Sequence, residues 1–229
     1  MLIKFGSIVV GGRGKLGGQV YSHNRGGDYV RNNATPVNPQ TPTQMAARAA
    51  LALFSQMWST LTQAQISGWN SAAENFPRTN VFGDSKKLSG KNLFTGLNRE
   101  LELTNQATIT DAPAPAPINV PTAVTSIVVN SAGAVTFEVE GTAVGDQIVL
   151  LATPPVSAGT NFVKNRLRVV AIMAATATPT AADIGADYVA KFGAPAIGTK
   201  VFVGAYAVNA VGQRSPQVTG STITVDGGV

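Results

Sequence analysis

The sequence predicts an α+β multidomain chain: an extended N-terminal arm, a small helical domain and then an all-β sandwich. Three observations predict it. Glycines crowd the first 40 residues, apolar residues recur at helical spacing between 41 and 110, and strict apolar–polar alternation begins beyond a proline-rich run at 111–121. A chain of 229 residues is long enough for two domains, each with a core of its own.

Residues 1–40 carry Gly11, Gly12, Gly14, Gly17, Gly18, Gly26 and Gly27, turn prolines at Pro36 and Pro39, and no helical period. They read as an arm or a set of short hairpins, because the apolar pieces, Ile8 to Val10 and Val20 to Tyr21, are too short to build a core. Stretched out, about 35 residues reach on the order of 110 Å, enough to cross one subunit and clamp another.

The helical domain, 41–110, opens with Thr41 as N-cap, Pro42 in the first turn and Gln44 three residues after the cap. Leu51, Phe54, Met57, Trp58 and Leu61 then line one face of a helix ending near Leu61. Thr62 with Gln65 repeats the capping pattern for a second helix, with Ile66, Trp69, Ala73 and Phe76 on its apolar face and Pro77 as its stop. Ser89 caps a third, on which Leu93, Leu97 and Leu101 stack four apart. These spacings make the large aromatics core residues.

The run DAPAPAPINVP at 111–121 excludes both helix and sheet and reads as a semi-rigid linker. Beyond it Val135, Phe137 and Val139 alternate with Thr136, Glu138 and Glu140. Further strands are predicted at 124–129, 147–152, 166–173, 200–209 and 221–225, so 122–229 forms a sandwich. Its stretch GTKVFVGAYAVNAVGQRSP, with Tyr206, Ala207, Asn209, Gly212 and Ser215, resembles the last hairpin of a fibronectin type III or related immunoglobulin-like domain. The core tryptophan usual in that family has no counterpart here, since Trp58 and Trp69 both lie upstream.

Composition points to assembly. Only 13% of residues are charged against 44% hydrophobic, about half the usual charged fraction, and so neutral a surface favours association. The net charge of +5 is lopsided: residues 1–110 hold eleven Lys or Arg against five acids, and 111–229 hold six against seven. With no cysteine, thiolate chemistry and disulfides are excluded. No secretory leader is read in the first ten residues, and no run approaches the roughly 20 apolar residues of a membrane helix.

No catalytic constellation emerges. Gly12, Gly14 and Gly17 spell G-x-G-x-x-G, but the glycines and polar residues that follow exclude the helix a dinucleotide site requires, and Lys15 is followed by Leu16 rather than Ser or Thr. His23 is the single histidine and reads as solvated in a polar loop. Glu100 and Glu102 diverge on a helix, Glu138 and Glu140 read as solvent-facing strand residues, and Asp183 and Asp187 fall in a loop-like run. The expectation is no enzyme, no cofactor and no metal. The interaction candidates are Arg13, Lys15, Tyr21, Arg25, Tyr29 and Arg31, whose residue types suit protein contact first and phosphates and bases second.

The segment GKLGGQVYSHNRGGDYVRNNATPVNPQTPTQ and the helical hairpin after it resemble a virion-associated protein family of tailed phages and prophages, over roughly residues 10–100. Asn24, Arg25, Gly27, Tyr29 and Arg31 match its N-R-x-G-x-Y-x-R stretch, and Pro36, Asn38, Pro39, Thr41 and Gln44 match its helix start. The resemblance implies a structural virion protein, on the head as decoration or at the head-to-tail junction, clamping neighbours with its arm. Its partners would be capsid, portal or neck and tail subunits and further copies of itself, in a virion assembled in the host cytoplasm, with no membrane. The rival readings are a nucleic-acid-binding protein using the basic arm and, ranked last because exposed aromatics beyond Pro121 are few, a surface adhesin for host glycans.

Overall fold

The structure, a computed structural model, describes residues 1–7, 11–35, 37–80, 82–176 and 179–227. It is an α+β fold of helices and antiparallel sheets. The chain divides into two compact units, Met1–Leu93 and Phe94–Val229.

In the first unit, β1 (Gly14–Leu16), β2 (Gln19–Asn24) and β3 (Gly27–Asn32) form an antiparallel meander. Leu16 pairs with Gln19 and Asn24 with Gly27, so each turn has two residues. Gly17 takes φ 57°, which a two-residue hairpin turn requires. In the second turn the Asn24 Oδ1 accepts from the Gly26 N–H at 2.7 Å. The outer edge of β3 is covered by the chain start: Val30 N–H donates to the Met1 carbonyl at 2.9 Å and Ile3 N–H to the Asp28 carbonyl at 3.0 Å. Of the two sequence readings of 1–40, the hairpins are therefore correct for 14–32 and the stretched arm is not. Backbone groups there pair with one another, so the 110 Å reach does not apply. Expected strand Ile8 to Val10 lies outside the described residues, as does Pro36.

Helix α1 spans Pro42–Thr60 and α2 Gln63–Ala72, followed by a 3-10 turn, Ala73–Asn75. The Thr41 side chain accepts from the Gln44 N–H, and Thr62 with Gln65 closes a full capping box. Both starts sit where the sequence puts them. The buried face of α1 is turned from expectation: Ala50 and Phe54 are buried while Leu51 is 57% exposed. A small hairpin of β4 (Arg78–Thr79) and β5 (Ser85–Lys86) was not foreseen. Asn80 clasps it, its Oδ1 accepting from Phe82 and Asp84 N–H groups. Helix α3 (Gly90–Leu103) begins with the Ser89 hydroxyl accepting from Asn92 N–H. At Gly90 a Cβ would stand 2.9 Å from the Trp69 carbonyl carbon. Only glycine allows that approach.

The second unit takes in the rest of α3, with Phe94, Leu97, Asn98 and Leu101 buried. It also takes in 111–121, the expected linker. There Ala116 N–H donates to Gln213 Oε1 at 2.9 Å and Asn119 Nδ2 to Asp146 Oδ2 at 3.0 Å. The seven strands that follow are β6 (Val124–Val129), β7 (Val135–Val139), β8 (Gln147–Ala152), β9 (Arg168–Ala174), β10 (Thr180–Asp183), β11 (Lys200–Val208) and β12 (Val218–Ile223), with α4 (Gly185–Phe192) between β10 and β11. One sheet has the order β10-β7-β6 and the other β12-β11-β8-β9. They share a core: Val135, Phe137 and Val139 from the first meet Ile148, Leu150, Val201 and Val203 from the second. The outer side of the four-stranded sheet is apolar as well, where Val149 and Leu151 cluster with Tyr206 and Val208. Burial on both faces explains why β8 and β11 are unbroken apolar runs rather than alternating ones.

Several expectations need correction. The strand expected at 166–173 is Arg168–Ala174, the one at 200–209 ends at Val208, and the last is Val218–Ile223 rather than 221–225, while Asp183 and Asp187 belong to the end of β10 and the first turn of α4 rather than to a loop. The N-cap of α4, Ile184, makes no side-chain cap bond, and Asp183 Oδ1 instead accepts from the Gly185 N–H at 3.0 Å. Tyr188 anchors this helix by donating its hydroxyl to the Thr153 carbonyl at 3.1 Å.

Candidate functional site

The six interaction candidates all fall on the β1–β3 meander or at its ends, and the strand register decides how they are displayed. Lys15 pairs with Val20 and Val20 with Arg31, so these three side chains share one face. Tyr29, two residues before Arg31, is on the same face opposite Ser22. Tyr21 lies on the reverse face with Val30 and His23. Arg25 projects from the second turn, and Arg13 immediately precedes β1. The meander therefore brings Lys15, Tyr29 and Arg31 together and separates Tyr21 from them.

Arg13, Lys15, Arg25 and Arg31 are all exposed, and among the described residues none has a carboxylate within ion-pair distance. Tyr21 and Tyr29 are half-buried. Four unneutralised cations on a thin sheet attract an anionic surface or the carbonyl and carboxylate groups of a protein partner. His23 is not in a loop: it lies in β2, cross-strand from Asp28, with Nδ1 2.8 Å from the Asp28 Oδ1. The glycine triplet of the dinucleotide-like motif spans β1 and its turn, and no helix starts there.

No family model and no curated sequence matches the chain.

The other pairs weighed in the sequence are accounted for by local partners. The Arg99 guanidinium donates to Glu102 at 2.8 Å, whereas Glu100 faces Tyr206 and Arg214. Thr125 and Ser126 hydroxyls donate to Glu140 and Glu138 respectively, so each carboxylate has its own neighbour on the sheet. Among the described residues no three His, Cys, Asp or Glu side chains converge on a possible metal position. No described helix is long and apolar enough to cross a membrane.

Sequence reasoning missed a second surface on the first unit. Every residue of α1 from Pro42 to Ala49 is exposed, and Met45, Leu51 and Leu53 remain 49%, 57% and 46% accessible. Arg48 is the single charged residue in the 19 of this helix, and its guanidinium donates to Asn38 Oδ1 at 2.7 Å. The signal was present in the string QMAARAALALF, whose apolar residues spread over more of the circumference than the face that Ala50 and Phe54 bury. A helix of that kind ordinarily belongs inside a protein or an interface.

Proposed function

We propose that this chain is a structural, non-enzymatic subunit of a tailed-bacteriophage particle, on the head as a decorating protein or at the head-to-tail junction, held there through its first unit. The observation that carries the assembly part is α1, on which the large apolar side chains Met45, Leu51 and Leu53 stay accessible to water. Covering such a surface is worth about 25 cal/mol per Å2, and neighbouring subunits supply the cover. The meander beside it in sequence adds unpaired cations for polar contacts at the rim of such an interface. The particle as destination is supported by the resemblance of residues 10–100, whose motif positions Asn24 to Arg31 form the β2–β3 hairpin and whose Thr41 and Gln44 form the α1 cap.

The second unit we read as an immunoglobulin-like sandwich of the fibronectin type III kind. Counting its strands from one to seven, the second pairs with the fifth and the third with the sixth across two sheets. That Greek-key division supports the reading.

Co-sedimentation of phage particles with the full chain tests the assembly claim. Wild-type protein pellets with particles, and a Met45→Gln, Leu51→Gln, Leu53→Gln variant stays in the supernatant with unchanged circular dichroism. Equal pelleting of both proteins would contradict the role given to α1.

A second reading, nucleic-acid binding, is favoured by Lys15, Tyr29 and Arg31 sharing one sheet face, where a base can stack and phosphates can pair. Under it, affinity for DNA falls steeply with salt, and neutralising Arg13, Lys15, Arg25 and Arg31 flattens that dependence. Absence of DNA binding at low salt removes it.

A further inference from the structure

On the second unit, away from everything used so far, lies a cleft of about 430 Å3 on the outer side of the four-stranded sheet. Its floor is Phe202 of β11, which packs with Val156 and Val163 rather than with the inter-sheet core. One wall is the β8–β9 connection with Asn161, Phe162 and Lys164, and the other is Gln217 and Thr219 at the start of β12. The connection is fastened in place. Val156 and Lys200 exchange backbone hydrogen bonds at 3.0 and 2.8 Å, and Arg166 N–H donates to the Val163 carbonyl at 2.8 Å. The Lys200 ammonium sits 4.9 Å from the Phe202 ring centroid and donates to the Thr160 carbonyl and Asn161 Oδ1. The cleft is thus preformed.

Its chemistry is specific. Phe162 is 74% exposed at the rim, although an aromatic ring gains nothing by facing water. Amides at Asn161 and Gln217 and a hydroxyl at Thr219 offer both donors and acceptors. The charge is of one sign: Lys164 lines the cleft, Arg166 and Arg168 follow it, and no carboxylate is among the lining residues. Lys200, held at Thr160 and Asn161 and over the Phe202 ring, adds a second cation beside the cleft. The carboxylate on the same sheet face, Glu100, is engaged by Tyr206 and Arg214 and does not line the cleft.

We propose that this cleft binds an acidic saccharide: the ring of Phe162 stacks on the C–H face of a sugar, Asn161, Gln217 and Thr219 bond its hydroxyls, and Lys164 pairs with its anionic group. Amides and an exposed aromatic ring in a closed-floored cleft fit a sugar ring better than a continuous phosphate backbone, which asks for cations along a groove rather than hydroxyl partners. This stands apart from the assembly reading of the first unit.

The test is isothermal titration of the full chain with polygalacturonate, with neutral dextran and a 20-nucleotide oligo-dT of the same charge range as comparators. The expected result is binding of polygalacturonate alone, weakened about tenfold by Phe162→Ala and by Lys164→Ala and retained by Phe162→Tyr. Both altered side chains are exposed, so these variants keep the fold. No binding of polygalacturonate, or an affinity that Phe162→Ala leaves unchanged, overturns the proposal. So does dextran binding as tightly, which removes the acidic requirement, or oligo-dT binding more tightly, which assigns the surface to nucleic acid.

Discussion

The guanidinium of Arg214 lies over the ring of Tyr206, its central carbon 3.7 Å from the ring centroid, while the Tyr206 hydroxyl donates to Glu100 Oε2 at 3.4 Å. Arg214 also reaches Glu100 directly at 4.0 Å. A strand residue, a residue from the β11–β12 loop and a residue of α3 thus form one cluster. Arg214→Ala removes the stacking and the long ion pair together. Because Arg214 is partly exposed, the expected loss is about 1 kcal/mol, read from urea denaturation followed by tryptophan-independent circular dichroism.

Burial, with the Glu100 carboxylate second, pushes the Tyr206 hydroxyl up to about 12, and burial alone does the same to Tyr188. The unfolded chain ionises these groups near pH 10, before the folded chain does, so between about 10 and 12 the folded state holds more protons. Their contribution to stability is complete below pH 10 and is lost as the pH rises toward 12. Tyrosinate absorbance at 295 nm will show two of the four tyrosines titrating only near pH 12, and together with unfolding rather than before it.

Gly212 has φ +79°, and a Cβ there would stand 2.4 Å from the Leu97 carbonyl oxygen. Both backbone strain and a clash with main chain oppose any side chain at this position. Gly212→Ala is expected to cost about 2 to 4 kcal/mol, seen as a lower urea midpoint, whereas the same change at Gly159, with open space around it, leaves the midpoint within error.

Asn98 is fully buried on α3. Its amide donates to the Phe94 and Ile109 carbonyls, and its Oδ1 accepts from Ile109 N–H at 2.8 Å. This side chain ties the segment after α3 back onto the helix. Asn98→Ala leaves the Ile109 backbone unsatisfied and is expected to destabilise by about 2 to 3 kcal/mol, with amide exchange at Ile109 rising first.

Much of this architecture is legible in the sequence because single residues carry it. Thr41, Pro42 and Gln44 announce α1, Thr62 and Gln65 announce α2, and Val135, Phe137 and Val139 write out a strand. What is not legible has physical reasons. Helix α1 sets five alanines between Met45 and Leu53, so periodicity alone allowed Leu51 inward where Ala50 is the buried residue. Strand β10 is four small or polar residues whose inward pair is Thr180 and Ala182, too weak a pattern to stand out. On the meander, the six candidates were visible as residue types, but their division between two faces depends on two turns of two residues each. A shift of one residue in either turn would have exchanged the faces. The Phe162 cleft was hidden because its floor and walls come from three separated stretches of chain.

Quantitative mass spectrometry of purified particles from the source phage addresses the central claim most directly. The account predicts this chain among the particle proteins, in copy number near that of the major capsid protein if it decorates the head and in a few to a few tens of copies if it sits at the junction. Its absence from intact particles would contradict the account.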